Sequence, residues 1–205
     1  MSFVPTLPAG CNLEGEKILL HCCCAPCSTA IIEWMVGEGL RPGIFFSNSN
    51  IVPFEEYALR REELRRYADS FALETFDDEY DHEAWLDWIK GLENERERGP
   101  RCLQCFKFRL LRAAQFALQN GFTLLSTTLA SSRWKDLGQV DEAGLWAVDQ
   151  ICKKSSLDGP DIPSLRWWGQ NWRKGGLQER RCALVRELGM YNQNWCGCEY
   201  SKLNL

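Results

Sequence analysis

No uninterrupted apolar run in this 205-residue chain approaches the roughly 18 residues that a membrane-spanning helix needs, so no membrane partner is expected. The N-terminus MSFVPTLPAG has neither a basic n-region nor an apolar h-region, and no signal peptide is expected. A cytoplasmic location is the expectation, and there cysteines stay reduced and read as ligands or redox groups. Repeats and low-complexity tracts are absent, and so is a strong excess of one charge, the net value being −4. That value argues against a nucleic-acid partner at first sight. Its distribution argues the other way: Glu55 to Arg98 holds 15 acidic against 7 basic residues, a balance of −8, whereas Gly99 to Leu205 holds 15 basic against 9 acidic, a balance of +6. The second half has the charge to face phosphates, although ordinary solvated helix faces explain the same asymmetry.

What the chain has in quantity is cysteine, 11 in all. Seven form three compact groups: Cys23, Cys24 and Cys27 in HCCCAPCS, Cys102 and Cys105 in GPRCLQC, and Cys196 and Cys198 in WCGC. Thiolates bunched in this way select soft metals or iron–sulfur clusters over hard cations.

The order of elements reads as α/β. Residues Lys17 to His21 form a short apolar strand that runs into the first cysteine group, and Ile31, Ile32, Trp34 and Met35 give a helix ending near Gly37 and Gly39. Gly43 to Phe46 is a second strand, followed by a polar loop and a charged helix over Glu55 to Ala72. Leu73 to Phe76 is a third strand, residues 83–100 an acidic helical insertion bearing Trp85 and Trp88, and Phe106 to Asn120 a helix with Gly121 as its cap. Phe122 to Thr128 is a fourth strand. After Ser131 no clear periodicity returns until a helix from about Gln178 to Leu188, and this stretch contains Pro160 and Pro163. The expectation is a single catalytic domain over residues 1–205, a parallel sheet flanked by helices with residues 137–205 as a C-terminal helical extension. Ligands in such a sheet sit at the carboxyl ends of strands, where the first cysteine group lies.

Adjacent cysteines face one ion from a turn more easily than from a strand, and CCAPC supplies a turn ahead of a helix, whose N–H groups favour thiolates. Cys102 and Cys105 form a C-x-x-C placed directly before the helix at Phe106. A structural zinc site competes with an iron–sulfur site for these groups. Cys196 and Cys198 read as a reversible dithiol, with metal ligation or bare surface thiols as alternatives. Cys182 and Cys152 read as core packing, Cys22 as a geometrically awkward extra ligand, and Cys11 carries no assignment. His21 adjoins the cysteine turn as a possible proton donor; His82 reads as surface. Trp167, Trp168 and Trp172 beside Arg166, Arg173 and Lys174 suit an RNA-stacking platform or, equally, a buried helix face.

The segments LLHCCCAPCS, FFSNSNIVPFEEYALR, GPRCLQCFKFRL, LSTTLASSRWKD and ELGMYNQNWCGCEYS, in that order, resemble the epoxyqueuosine reductase family of the QueH type, from about residue 17 to 201. The resemblance implies the last step of queuosine synthesis, reduction of the epoxide of epoxyqueuosine at the wobble base of tRNA, without cobalamin. It implies a [4Fe-4S] cluster on Cys23, Cys24, Cys102 and Cys105, a redox-active pair in Cys196 and Cys198, and an additional mononuclear iron or other divalent metal with Cys27 as candidate ligand. The strand–helix order also resembles the adenine-nucleotide alpha-hydrolase-like fold of PP-loop enzymes. Where those carry an SGGxDS-type phosphate loop, this chain has HCCCAPCS, so a metal site in place of a nucleotide site is expected. Catalysis would then rest on Cys196, Cys198, Cys27 and His21, with Trp172, Arg173 and Lys174 contacting the RNA and the electron donor left open. A tRNA-thiolating PP-loop relative and a zinc-stabilised RNA-binding module are the competing readings.

Overall fold

Three apolar residues and a histidine, all buried, form the central strand β1 (Ile18–His21) of the computed structural model, which describes residues 3–8, 11–155 and 165–202. Helix α1 (Ala25–Gly37) leads to β2 (Gly43–Phe46), and α2 (Phe54–Asp69) to β3 (Thr75–Asp77). A short α3 (His82–Trp88) precedes the long α4 (Pro100–Gln119), which carries the chain back to β4 (Leu124–Thr127). A 3₁₀ turn over Thr128–Ser131, α5 (Leu137–Ser155), β5 (Arg166–Trp167), α6 (Leu177–Glu187) and α7 (Glu199–Lys202) follow. The strands pair in parallel in the order β3-β2-β1-β4-β5. Right-handed crossovers put α1 and α2 on one face, where α6 joins α1, and α4 and α5 on the other, where they pack together.

The direction of winding reverses between β1 and β4, and the crevice outside their carboxyl ends is where open α/β sheets bind ligands. Cys22 to Cys24 leave β1 at that point, and the Thr128–Ser131 turn leaves β4 beside them.

Several expectations change. Helix α4 begins at Pro100, six residues before Phe106, with Gly99 as N-cap; proline is favoured at a first helical position because its missing N–H is not needed there. Cys102 and Cys105 therefore lie inside the first two turns of the helix. In the 83–100 insertion the helix stops at Trp88, and turns follow. Helix α5 occupies a stretch without evident periodicity because its buried face is Val140, Ala143, Ala147 and Ile151, correctly spaced but mostly too small to read as a hydrophobic stripe. At Gly144 a Cβ would collide with the Trp167 ring, so the helix–strand packing there requires glycine. Pro160 and Pro163 lie outside the described residues.

Trp34, Trp168, Trp172 and Phe3 form one aromatic nest, with ring centroids 4.9 Å apart for Phe3–Trp34 and 5.7 Å for both Trp34–Trp172 and Trp168–Trp172. Cys182 is exposed, not core, and Cys152 is half-buried. His82 is not a surface residue: its Nδ1 bonds Ser49 O at 2.8 Å, and its ring stacks between Tyr80 and Trp85. Among the described residues no helix is long and apolar enough to cross a membrane.

Candidate metal centre

Cys24 is the N-cap residue of α1 and makes no side-chain cap hydrogen bond, which leaves the first-turn N–H groups facing its neighbourhood. Cys23 precedes it and Cys27 lies in the first turn. The three Sγ atoms are all within 4.8 Å of one another, and Cys23 and Cys24 stand 3.8 Å apart. Thiolates about 2.3 Å from a tetrahedral ion are themselves about 3.8 Å apart, so the triad has the span of ligands to one soft ion. All three are buried. The Cys24 and Cys27 thiols donate toward Cys23 and, against the cost of burial and with help from Lys135 and Arg109, hold it well below the ordinary thiol value. Cys24 and Cys27 are pushed up in return. The metal-free triad thus carries one thiolate with protons on its partners, and a soft cation would take the place of those protons.

Cys105 is buried against Trp85, Ile89, Phe108 and Cys198, and burial raises its thiol although Arg109 opposes the shift. Cys102 accepts the Arg98 N–H at 3.3 Å; burial pushes it up to about 11. Cys196 and Cys198 are free thiols with Sγ atoms 3.5 Å apart, so no disulfide joins them. Gly197 between them has φ +113°, and a Cβ there would meet Ile51 Cγ1 at 2.7 Å. Buried Arg60 on α2 donates to Cys196 O at 3.1 Å, and Val52 N–H to Gly197 O at 3.0 Å, which docks this loop onto the segment after β2. The Cys198 thiol holds Cys196 well below the ordinary value, with Ser201 Oγ 3.1 Å from its sulfur; Cys198 is raised.

Two cations complete the basin. Arg109, buried on α4, donates from Nε to Ser47 O at 3.2 Å and from Nη2 to Asn48 Oδ1, and among the described residues no carboxylate pairs with it. A buried charge needs compensation, and the nearby sulfurs supply it. Half-buried Lys135 follows the turn after β4. Burial would lower its pKa, but the negative charge held by the Cys23–Cys27 group and by Cys196 outweighs that and raises it. Lys135 therefore senses both the first and the third cysteine groups, and Cys196 acts on Cys102 and Cys105 in turn. The described structure brings Cys23, Cys24 and Cys27 within the span of one ion; it does not draw Cys102 and Cys105 into that same span.

The family profile described as "Epoxyqueuosine reductase QueH" matches residues 18–204. The chain belongs to the QueH family. It is 39% identical over 188 residues to a protein named Epoxyqueuosine reductase QueH from Acinetobacter baylyi, covering 92% of this chain and 81% of the relative. It is 40% identical over 195 residues to the protein of that name from Histophilus somni (95% and 74%), and 33% identical over 190 residues to that from Thermotoga maritima (91% and 90%).

In this QueH-family chain the remaining site expectations fare differently. His21 is fully buried: Nε2 lies 3.0 Å from Ser47 O and Nδ1 2.7 Å from Thr127 Oγ1. A carbonyl only accepts, which assigns the proton to Nε2 and leaves Nδ1 accepting from the hydroxyl. Burial first, then Arg109, lowers its pKa to about 3. His21 is thus a neutral tie between β1, β2 and β4 and is corrected as a proton donor. Trp172 is 1% exposed, and its Nε1–H donates to Thr127 O at 3.1 Å; it is a core residue and stacks no base. Arg173 is half-buried, its Nη2 donating to Lys135 O at 2.7 Å and also to Ser132 O, while Lys174 is exposed. Cys22 continues the sheet, its N–H donating to Phe45 O at 2.8 Å, and burial keeps its thiol protonated. Cys11 sits 3.5 Å from Glu16 Oε1, apart from the basin. Sequence reasoning missed Arg109 and Lys135. Arg109 did leave a signal, standing one helical turn after Cys105.

Proposed function

We propose that this chain reduces epoxyqueuosine to queuosine at the wobble position of tRNA, the last step of queuosine synthesis, and does so without cobalamin. The observation that carries the reading is the thiolate basin at the switch point of the sheet, in a chain that matches the QueH family from residue 18 to 204. A donor set of soft sulfurs balanced by two buried or half-buried cations fits a thiolate-bound iron group. Cys23, Cys24, Cys102 and Cys105 would hold a [4Fe-4S] cluster, and Cys27 a ligand position for an additional mononuclear iron or other divalent metal. When bound, that group supplies electrons singly to the substrate.

Removing an epoxide oxygen as water to leave an alkene consumes two electrons and two protons. Lys135 Nζ, held protonated by the sulfurs around it, carries a proton where His21 does not. Cys196 and Cys198 together store two electrons and two protons, released when the dithiol closes to a disulfide. Arg109 offsets the thiolate charge, and so does the uncapped first turn of α1. Trp85, Ile89 and Phe108 around Cys105 keep water from that flank.

Anaerobic incubation of epoxyqueuosine-containing tRNA with the reconstituted protein and a chemical reductant, followed by mass analysis of the nucleosides, tests the activity. Loss of one oxygen atom from the modified base, in buffer free of cobalamin, is expected; an unchanged nucleoside with fully loaded protein rejects it. A C196S/C198S variant retaining multiple-turnover activity would remove the dithiol from the scheme. The single-ion span of the first triad favours one second reading, a zinc-stabilised RNA-binding module, which predicts bound zinc and no turnover.

A further inference from the structure

Trp134 is the most exposed tryptophan among the described residues, at 70%, and its flat face is backed by the Arg133 guanidinium 4.8 Å from the ring centroid. An indole left in water costs hydrophobic free energy, so its place in the fold matters. It sits in the loop Ser132–Asp136, between the 3₁₀ turn whose Thr128 Oγ1 lies 3.6 Å from Cys23 Sγ and the start of α5. The charge of the next residue, half-buried Lys135, interacts with Cys23, Cys27 and Cys196. The loop is held from several sides. Arg173 bonds the carbonyls of Ser132 and Lys135, Lys135 N–H bonds Ser132 O at 3.1 Å, and Asp136 Oδ1 accepts from Gln139 N–H at 3.0 Å. Arg98, just ahead of the helix that carries Cys102, stands 3.7 Å from Asp136. A pinned loop thus holds an exposed indole against Arg133, two residues before the Asp136 that pairs with Arg98.

We infer that Trp134 and Arg133 form a clamp for an unpaired nucleotide of a single-stranded RNA loop, the base stacking on the open indole face and Arg133 meeting its phosphate. The inference rests on the tRNA reading above and gives the role expected of Trp172 to a different residue. The clamped nucleotide would be a neighbour of the reacting base, since Trp134 adjoins Lys135, whose charge interacts with the sulfurs. A flat aromatic surface accepts any base face, and a guanidinium beside it adds charge and a planar fork, which is how single strands are held without sequence readout. An exposed Trp–Arg pair also suits a protein partner, and the comparison of loop with duplex and the dependence on a protein reductant separate the two.

The test measures affinity of the full-length, metal-loaded protein for an anticodon stem-loop RNA and for a blunt duplex of the same length. Trp134→Ala weakens stem-loop binding between about fivefold and about a hundredfold, Trp134→Phe keeps most of it, and duplex binding is unchanged. Arg133→Gln lowers the slope of log affinity against log salt by about 0.7. The circular dichroism and metal content of the variants should match wild type, since the indole is outside the core. Stem-loop affinity unchanged in Trp134→Ala overturns the clamp while leaving the tRNA reading standing. A wild-type protein indifferent between loop and duplex overturns both. A variant that binds RNA normally but turns over slowly only with a protein reductant also overturns the clamp and gives the loop to that partner.

Discussion

A sulfur becomes a ligand or a nucleophile only as a thiolate, and burial pushes Cys22, Cys102 and Cys105 toward the thiol while a neighbouring sulfur does so for Cys24, Cys27 and Cys198. Cys196 is an exception with a specific cause, the Cys198 thiol 3.5 Å away. In metal-free protein, alkylation of Cys196 by iodoacetamide should persist at pH values well below the ordinary thiol midpoint of about 8.5, and Cys198→Ala should move the midpoint back up. An ordinary profile in wild type contradicts the arrangement. The sign follows from charge: a depressed pKa keeps the thiolate as pH falls through the ordinary value, and reactivity disappears only below the folded one. Arg109 is the other residue whose effect is separable. Arg109→Met removes the buried positive charge near Cys23 and Cys105 with little change in bulk. Metal affinity should fall about 10- to 100-fold, measured by chelator competition, whereas undiminished affinity means that the guanidinium supports the fold alone.

At the scale of elements, the sulfurs were legible in the sequence and the cations around them were not. Strands β1, β2 and β4 carry short apolar stretches, Ile18–Leu20, Ile44–Phe46 and Leu124–Leu125, because both faces are covered, and such stretches stand out from their polar surroundings. The cysteine turn follows from Pro26 and the helix after it. Helix α5 was hidden because Ala143, Gly144 and Ala147 fill the middle of its buried face between Val140 and Ile151, and the start of α4 because Pro100 reads as a break as readily as a first turn. Arg109 looks like a solvated helix charge until the fold buries that face; Lys135 and Trp134 sit in a loop whose direction only tertiary packing decides. The tryptophans at 167, 168 and 172 show the converse, with core and surface roles sharing one sequence pattern. Gly197 is the element-scale feature easiest to test. Gly197→Ala forces a left-handed backbone on a residue with a Cβ and presses it against Ile51, at a cost of about 1–3 kcal/mol. Thermal unfolding should report that loss, together with a dithiol that no longer closes under mild oxidant. A variant as stable and as readily oxidised as wild type shows that the loop has slack.

For the whole molecule, the sheet brings together three cysteine groups separated by most of the chain: one after β1, one in the first turns of α4, and one just before α7 docked by Arg60. The basic excess lies in the half of the chain from Gly99 onward, which carries the second and third cysteine groups together with Arg109, Arg133 and Lys135. The central claim is that the basin is an iron–sulfur centre, and metal analysis reaches it most directly. Iron, zinc and acid-labile sulfide should be quantified, with EPR of the reduced state, on protein purified and reconstituted without oxygen. Iron and sulfide near about four each per chain, with a cluster signal lost in a C102S/C105S variant, is the predicted result. Zinc without sulfide, persisting after iron reconstitution, would contradict it.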